Sequence, residues 1–291
     1  MQLIIKDVSK TYANGIKALN KVTLTINQGM FGLLGPNGAG KSSLIRTIAT
    51  LQDADSGSIT LGEIDVMTQK NEVRKILGYL PQEFNLYPKI DALTLLDHLA
   101  ALKGVSHKKE REEMVAVLLH QTNLWNVRKN KLGSFSGGMR QRFGIAQSLL
   151  ANPRLIVVDE PTAGLDPEER SRFLNLLAEV SEKAVVILST HIVDDVNALC
   201  SFMAILRGGE VIYNGRTSEA RHQLEGKIWR KEIKKTQVEE YRKKFRVISD
   251  RLVAGTPVIH VWSESPLDNS FSKIPATLED AYFACVLNEL S

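Results

Sequence analysis

The stretch GPNGAGKSS, residues 35–43, decides the fold. Gly35 is followed by four residues and then by Gly-Lys-Ser at 40–42, which is the spacing of a phosphate-binding P-loop. An apolar segment, MFGLL, precedes this loop, and SSLIRTIAT, with the apolar spacing of a helix, follows it. A P-loop between a strand and a helix predicts a nucleotide-binding α/β fold.

Each residue type in the loop suits the binding of a nucleoside triphosphate. Gly38 and Gly40 let the backbone wrap the phosphates with its N–H groups, and the start of the following helix adds a positive end. In a P-loop the lysine, here Lys41, reaches the β- and γ-phosphates, and the hydroxyl of Ser42 binds Mg²⁺. The candidate ATP-binding residues of the loop are Asn37, Gly38, Ala39, Gly40, Lys41, Ser42 and Ser43.

A second motif, LIVVDEP at 155–161, is an apolar strand that ends in two acids. In an open α/β fold the carboxyl end of such a strand is where ligands bind. We therefore expect Asp159 to hold Mg²⁺ through its hydration shell and Glu160 to polarise an attacking water. An apolar run followed by two acids is by itself as often a strand that meets solvent. The P-loop upstream favours the catalytic interpretation.

The rest of the chain predicts two domains. Residues 1–216 alternate strands with helices, and the continuous apolar runs LIVV and AVVIL indicate a sheet buried on both faces. Residues 83–150 repeat apolar positions at helical spacing and predict a helical subdomain. Residues 217–291 predict a small α+β accessory domain whose last helix follows Thr277, where TLED matches a capping box.

A third motif, FSGGMRQR at 135–142, places Ser136, Gly137 and Gly138 at the start of a helix, where bare amide groups point at an anion. The P-loop at 35, SGG at 136, LIVVDEP at 155, AGLD at 163 and STH at 189 follow one another in the order and spacing of a known family. Over residues 1–216 the chain resembles the ATP-binding cassette (ABC) ATPases. The resemblance implies a P-loop cassette with a mixed sheet.

This resemblance assigns roles to further residues. It implies that Tyr12 stacks on adenine, that Gln82 contacts Mg²⁺ or the attacking water, and that His191 contacts the γ-phosphate. Without their neighbours these would be a strand aromatic, a polar turn residue and one of six histidines. Asp166 would contact a second copy of the chain.

The resemblance also explains the second anion site. In the family, the SGG motif contacts ATP held on a second copy of the cassette, so that two nucleotides lie between two subunits. This chain has Met139 where the commonest form has Gln, which removes a side-chain amide, and Phe135 is an apolar exchange. The SGGM form resembles subunits of exporters for drugs, lipids, ions or polysaccharides.

The family resemblance further implies a separate transmembrane permease that docks near Gln82. The segment FNLYPKI at 84–90 offers Phe84, Leu86 and Tyr87 for this contact, with core packing as the equal alternative. The longest apolar runs fall short of the roughly 20 residues of a membrane-spanning helix, and no secretory signal is recognised. We expect a peripheral protein at the cytoplasmic face of the membrane.

Charge and cysteine content add a runner-up function. Residues 221–250 hold ten Lys or Arg and five Asp or Glu, for which a solvated helix face is the expected explanation. The alternative is a soluble ABC-type ATPase that uses this stretch on nucleic acid or ribosomes. A single cassette without a long coiled coil disfavours that alternative, so no nucleic acid partner is expected. Cys200 and Cys285 lack metal-ligand spacing and predict buried, reduced thiols.

Overall fold

A computed structural model describes residues 1–161 and 165–287 and divides them into two compact units. Unit 1 comprises Met1–His191 and Leu206–Val211, and unit 2 comprises Ile192–Ile205 and the described residues from Ile212 onward. Ala163 and Gly164 of the AGLD motif lie outside the described residues. The accessory domain over 217–291 remains a prediction.

The first sheet of unit 1 contains the amino-terminal strands and has the order β2-β1-β4-β5. Leu3, Ile5 and Val8 of β1 are buried, in agreement with the alternation of the first residues. The strands of this sheet and of the next are β1 (Gln2–Thr11), β2 (Lys17–Asn27), β3 (Gly29–Leu34), β4 (Ser56–Leu61), β5 (Ile64–Asp65), β6 (Leu77–Leu80), β7 (Leu155–Asp159), β8 (Val185–Thr190), β9 (Phe202–Arg207) and β10 (Glu210–Arg216).

The second sheet positions the functional loops. Its strand order is β10-β9-β3-β8-β7-β6, and residues 206–211 of β9 and β10 belong to unit 1. The strands β3, β8, β7 and β6 run parallel. Every residue of β7 and β8 is buried, so the predicted sheet with two covered faces is confirmed. Because neighbouring parallel strands end at one edge, the P-loop after β3, the acids at the end of β7 and the STH motif at the end of β8 meet there.

The helices of unit 1 include the predicted helical subdomain, in which three helices lie within 83–150. The subdomain has a hydrophobic interior that includes Leu96, Leu119 and Phe143. The helices of unit 1 are α1 (Lys41–Ile48), α2 (Lys70–Ile76), α3 (Ala92–Leu102), α4 (Lys108–Gln121), α5 (Gly137–Ser148) and α6 (Pro167–Ser181).

Unit 2 is built on an antiparallel sheet with helices, as expected for an α+β domain. Its sheet has the order β12-β13-β11-β14, and β12 and β13 form an antiparallel hairpin across Ala254 and Gly255. Ile259, Val261 and Phe271 form a buried cluster against which Tyr241 and Phe245 pack. The elements are α7 (Val193–Leu199), α8 (Thr217–His222), β11 (Ile228–Glu232), α9 (Val238–Lys244), β12 (Arg246–Val253), β13 (Thr256–Trp262), β14 (Ser272–Lys273) and α10 (Leu278–Val286).

The last helix begins at the predicted capping box. The Thr277 Oγ1 accepts from the Asp280 N–H at 3.1 Å, and the Asp280 Oδ2 accepts from the Thr277 N–H at 2.9 Å. Asp280 has a second contact that no motif predicts, because its Oδ1 lies 2.6 Å from the Nδ1 of the buried His260. The carboxylate thus caps α10 and joins it to β13.

The basic segment agrees with its predicted form only in part. Residues 221–250 do not form one solvated helix face but run through the end of α8, β11, α9 and the start of β12. A solvated helix face is present in α9, where Arg242, Lys243 and Lys244 are exposed. Strand residues also contribute to the charge, such as Lys231, whose Nζ lies 4.9 Å and 4.5 Å from the rings of Tyr241 and Phe271.

Two sequence-based expectations concern the thiols and the membrane. Cys200 and Cys285 are free and buried as predicted, and burial raises their thiol pKa values to about 12 and about 11. In the described part of the chain, no helix has the length and apolar character needed to cross a bilayer.

Candidate functional site

The P-loop requires glycine where it enters α1. Gly40 is the residue before the helix and has a φ of 104°, in the left-handed region. A Cβ at this position would lie 2.4 Å from the carbonyl oxygen of Ala18, so no larger residue fits. The loop therefore lies close to the backbone of β2 at Gly40. Asn37, Gly38 and Ser42 are exposed.

Lys41 lies at the centre of the site. Only 7% of the residue is exposed, and its Nζ donates to the carbonyl oxygens of Gly35 at 2.5 Å and Pro36 at 3.2 Å. Burial lowers the pKa of Lys41, while the carboxylates of Glu160 and Asp159 act in the opposite direction. A cation held beside two acids and an exposed backbone loop suits the binding of a polyphosphate with its metal ion.

The two acids at the end of β7 are buried and held by residues of β8. The Asp159 Oδ1 accepts from the Ser189 hydroxyl at 2.8 Å. The Glu160 Oε2 lies 2.9 Å from the His191 Nδ1 and accepts from the Thr190 hydroxyl at 3.5 Å. The His191 side chain is 60% exposed, so it lies between the buried carboxylate and solvent.

The backbone at Glu160 is strained. Its φ is 50°, a left-handed conformation that non-glycine residues adopt at a cost. Its N–H donates to the carbonyl oxygen of Ser189 at 2.9 Å, which holds the residue to β8. The local structure thus fixes the direction of the carboxylate.

Tyr12 lies beside the helix that follows the P-loop. Its hydroxyl is 2.9 Å from the Ser43 Oγ and donates to the Gln52 Oε1 at 3.1 Å. Gln52 in turn donates to the Ser43 carbonyl oxygen at 2.8 Å. The predicted adenine-binding residue is therefore joined to the predicted phosphate-binding helix.

The remaining predicted residues lie at the starts of α5 and α6 and after β6. The Ser136 Oγ accepts from the Met139 N–H at 3.2 Å and caps α5, with Ser136 and Gly137 exposed. The exposed Asp166 caps α6 by accepting from the Glu169 N–H at 2.8 Å. Gln82 is exposed in the loop after β6. His191 thus contacts Glu160, and both acids act electrostatically on Lys41, whereas Ser136 and Asp166 present capped helix ends.

Several residues of the site were not foreseen. Ser189 and Thr190 were only part of a motif, and their contact with the acids follows from the pairing of β7 with β8. Gln52 carried no sequence signal for its contact with Tyr12. Gln141, whose Nε2 donates to the Pro161 carbonyl oxygen at 2.7 Å, was likewise missed.

The oxygen donors of the site fit Mg²⁺ brought in with a nucleotide. Within the described ranges, no group of three or more His, Cys, Asp or Glu side chains could hold a metal by itself. Mg²⁺ bound with substrate phosphates needs only one or two protein oxygen ligands and keeps several waters. The Ser42 hydroxyl, which is exposed, and the Asp159 carboxylate are ligands of the required kind.

Comparisons with known proteins agree with this geometry. Residues 19–163 match the family model described as ABC transporter. The chain is 34% identical over 224 residues to the linearmycin resistance ATP-binding protein LnrL of Bacillus subtilis, covering 76% of this chain and 71% of that protein. It is 35% identical over 227 residues to the methionine import ATP-binding protein MetN 1 of Pseudomonas putida, covering 74% and 67%.

A solved structure gives the same answer for the fold. The dimeric structure of a post-hydrolysis state of the ATP-binding cassette MJ0796, bound to ADP and Pi, superimposes with a TM-score of 0.68 at 28% identity. The match covers 74% of this chain and 98% of that cassette.

Proposed function

Because this chain belongs to the ABC transporter family, we propose that it is the subunit that drives a separate membrane permease through ATP binding and hydrolysis. The chain is an ATPase with an ATP-binding cassette fold. The observation that carries the proposal is the position of Lys41 beside Asp159 and Glu160. The same unit presents the SGG turn, residues 136–138, in which Ser136 and Gly137 are exposed.

Within one chain, each residue has a defined part in ATP binding. Tyr12 stacks on the adenine, and the backbone from Asn37 to Ser43 surrounds the phosphates. Lys41 neutralises negative charge on the β- and γ-phosphates. Two carbonyl groups of the loop already hold its Nζ beside the phosphate-binding backbone. Mg²⁺ held by Ser42 and Asp159, with Gln82 nearby, would neutralise charge that develops on the phosphates.

Hydrolysis depends on Glu160 and His191. Glu160 accepts the proton of the attacking water, and its strained backbone and hydrogen bonds hold the carboxylate in one direction. His191 lies 2.9 Å from that carboxylate, is exposed on its other side, and contacts the γ-phosphate. This pair therefore keeps the Glu160 carboxylate close to the γ-phosphate.

Two copies of the chain form the complete site. The amides of the exposed Gly137 and the half-buried Gly138, which follow Ser136, bind the ATP of a second copy, and Asp166 contacts that copy. The proposal is supported by the dimer that MJ0796 forms. Cleavage of the γ-phosphate removes the group that joins both chains, so the copies separate and the cycle restarts.

The permease and the direction of transport are inferred from the same relatives and from the SGGM motif. One relative is a resistance protein and another an import protein, and the SGGM form favours export. Tyr87, whose exposure is 65%, lies in the loop after Gln82 and is the candidate permease contact. We place the chain at the cytoplasmic face of the membrane through this partner.

No specific observation favours a nucleic acid function. Several basic residues between 221 and 250 have acidic partners, including Arg242 with Asp250 at 2.7 Å and Arg230 with Glu232 at 2.8 Å. Such pairing leaves less charge for a phosphate backbone.

The test is ATP turnover by the full chain in the presence of Mg²⁺. We expect Glu160→Gln to bind ATP but to lose turnover by about 100-fold or more, because the base is removed. Glu112→Gln, on the exposed surface of α4, is the matched control and should retain turnover. Normal turnover by Glu160→Gln would contradict the assignment of the base.

A further inference from the structure

Two consecutive residues of α5 contact Pro161, which follows Glu160, and Glu169 in the first turn of α6. Gln141 donates from Nε2 to the carbonyl oxygen of Pro161 at 2.7 Å. Arg142 pairs through Nη2 with the Glu169 Oε1 at 3.1 Å, in the first turns of α6. One turn of α5 therefore contacts both the residue that follows Glu160 and the first turn of α6.

The Arg142–Glu169 pair is shielded and lies against the SGG turn. The two side chains are 18% and 21% exposed, so solvent screens them less than a surface pair. Arg142 also donates to the carbonyl oxygen of Gly138 at 3.4 Å. A Cβ at Gly138 would lie 2.5 Å from the Glu169 Oε2, which shows how closely the carboxylate approaches this turn.

The backbone of Glu160 needs such restraint. A glutamate at a φ of 50° stays in that conformation only where its surroundings determine it. Ser189 holds the N–H of Glu160 from β8, and Gln141 holds the carbonyl of the next residue from α5. These two hydrogen bonds lie on either side of the strained residue and come from different elements.

We propose that Gln141 and Arg142 are positioning residues that set the backbone around Glu160 from the helix that begins at the SGG turn. This inference rests on the proposed function. The SGG turn receives the nucleotide of the second copy, and the same helix holds the segment that carries this chain's own base. Arrival of the second copy at Ser136 is thereby transmitted to Glu160 within one chain.

The experiment separates turnover from dimerisation in the full chain. We expect Gln141→Leu and Arg142→Met each to lower kcat for MgATP by about 10- to 100-fold with little change in KM, because the base loses its alignment. On a Glu160→Gln background, the same changes should leave the MgATP-driven dimer intact. Gln141→Lys, which keeps an N–H donor of similar reach, should retain most of the turnover.

Controls make the result specific. Arg172→Met, in an exposed pair on α6, should leave kcat unchanged. Because Arg142 and Glu169 act as one unit, the double variant with Arg142→Met and Glu169→Gln should lose no more turnover than the more damaging of the two single variants. Gln141→Glu places a carboxylate against the Pro161 carbonyl and provides a second route to the same loss if the leucine variant does not fold.

Two outcomes overturn the inference while the proposed function stands. One is a kcat of the Gln141→Leu and Arg142→Met variants within about twofold of the unsubstituted chain. The other is a loss of the MgATP-driven dimer as large as the loss of turnover, which would mean that both residues only support the SGG turn. A chain without any MgATP turnover would overturn the proposed function and this inference together.

Discussion

Gly137 and Gly138 are neighbours at the start of α5, but their surroundings differ. A Cβ at Gly137 meets no atom within 4 Å, whereas a Cβ at Gly138 meets the Glu169 carboxylate at 2.5 Å. Both positions are helical, so alanine gains the same helix propensity at each. The difference between the two substitutions therefore reports on Glu169 alone.

We expect Gly138→Ala to unfold with a free energy about 1 kcal/mol below that of Gly137→Ala, because Glu169 must move and its contact with Arg142 weakens. Urea unfolding of the nucleotide-free chain measures the difference. Glu169→Ala should abolish it. Equal stability of the two variants in the unsubstituted background would show that Glu169 moves without cost.

Lys103 predicts a pH dependence of stability. Burial lowers its pKa from 10.5 to about 8, and its Nζ donates to the Leu77 carbonyl oxygen at 2.6 Å. Below pH 8 the folded state carries a poorly solvated cation, and this cost disappears as the pH rises from about 8 towards 10.5. We expect Lys103→Met to raise the free energy of unfolding by about 1–3 kcal/mol at pH 7.

The advantage of Lys103→Met should shrink as the pH rises from about 8 through 10.5, because the lysine is neutral in both states only above that range. Denaturant unfolding of both proteins at several pH values gives the comparison, in which other lysines cancel. An advantage that is constant with pH would mean that packing, and not charge, separates the two proteins.

At the scale of single residues, motif spacing identified side chains but not their partners. Lys41, Asp159 and Glu160 follow from two motifs because phosphate chemistry demands those residue types. Ser189, Gln52 and Gln141 are ordinary polar residues whose contacts arise only when distant elements pack. Nothing in the local sequence distinguishes them from surface residues.

At the scale of elements, α10 depends on one carboxylate with two functions. Burial by itself would raise the pKa of Asp280, but the hydrogen bonds from His260 and Thr277 outweigh burial and keep the pKa below 3.8. The stabilisation by Asp280 is therefore present above that pH and is lost as the pH falls further.

Asp280→Ala removes the cap and leaves His260 buried without this partner. We expect a loss of about 2–4 kcal/mol in the free energy of unfolding, whereas Thr277→Ala, which weakens only the cap, should cost about 1 kcal/mol. Thermal or urea unfolding at neutral pH measures both. A similar loss for the two variants would show that the His260 contact adds nothing.

Element prediction succeeded where periodicity was strong. The apolar runs of β7 and β8, the helices within 83–150 and the capping box of α10 followed from local pattern. The order β12-β13-β11-β14 did not, because strand pairing is set by contacts far apart in the chain. Part of the charge of the basic segment, which was expected on a helix face, lies on β11 instead.

At the scale of the molecule, the loop after β6 contains one half-buried and one exposed aromatic side chain. Phe84 is half-buried against Gly144 of α5, whereas Tyr87 is 65% exposed. Leu86 is half-buried as well, so among the three residues offered for the permease Tyr87 has the free surface that a partner requires.

We expect Tyr87→Asp to reduce co-purification of the chain with solubilised permease, because a charge in the contact must be desolvated. Val117→Asp on α4 is the matched control, since Val117 is also an exposed apolar residue at 55%. Recovery of the permease by Tyr87→Asp at the level of the control would remove this loop from the interface.

The central claim is that two copies complete each ATP site, and the solution mass of Glu160→Gln tests it most directly. Light scattering should give the mass of one chain without nucleotide and twice that mass with MgATP, and adding Ser136→Arg should return the mass to that of one chain. Two results together would contradict the claim. With saturating MgATP, Glu160→Gln would have the mass of one chain in solution, and its complex with the permease would contain only one copy of it.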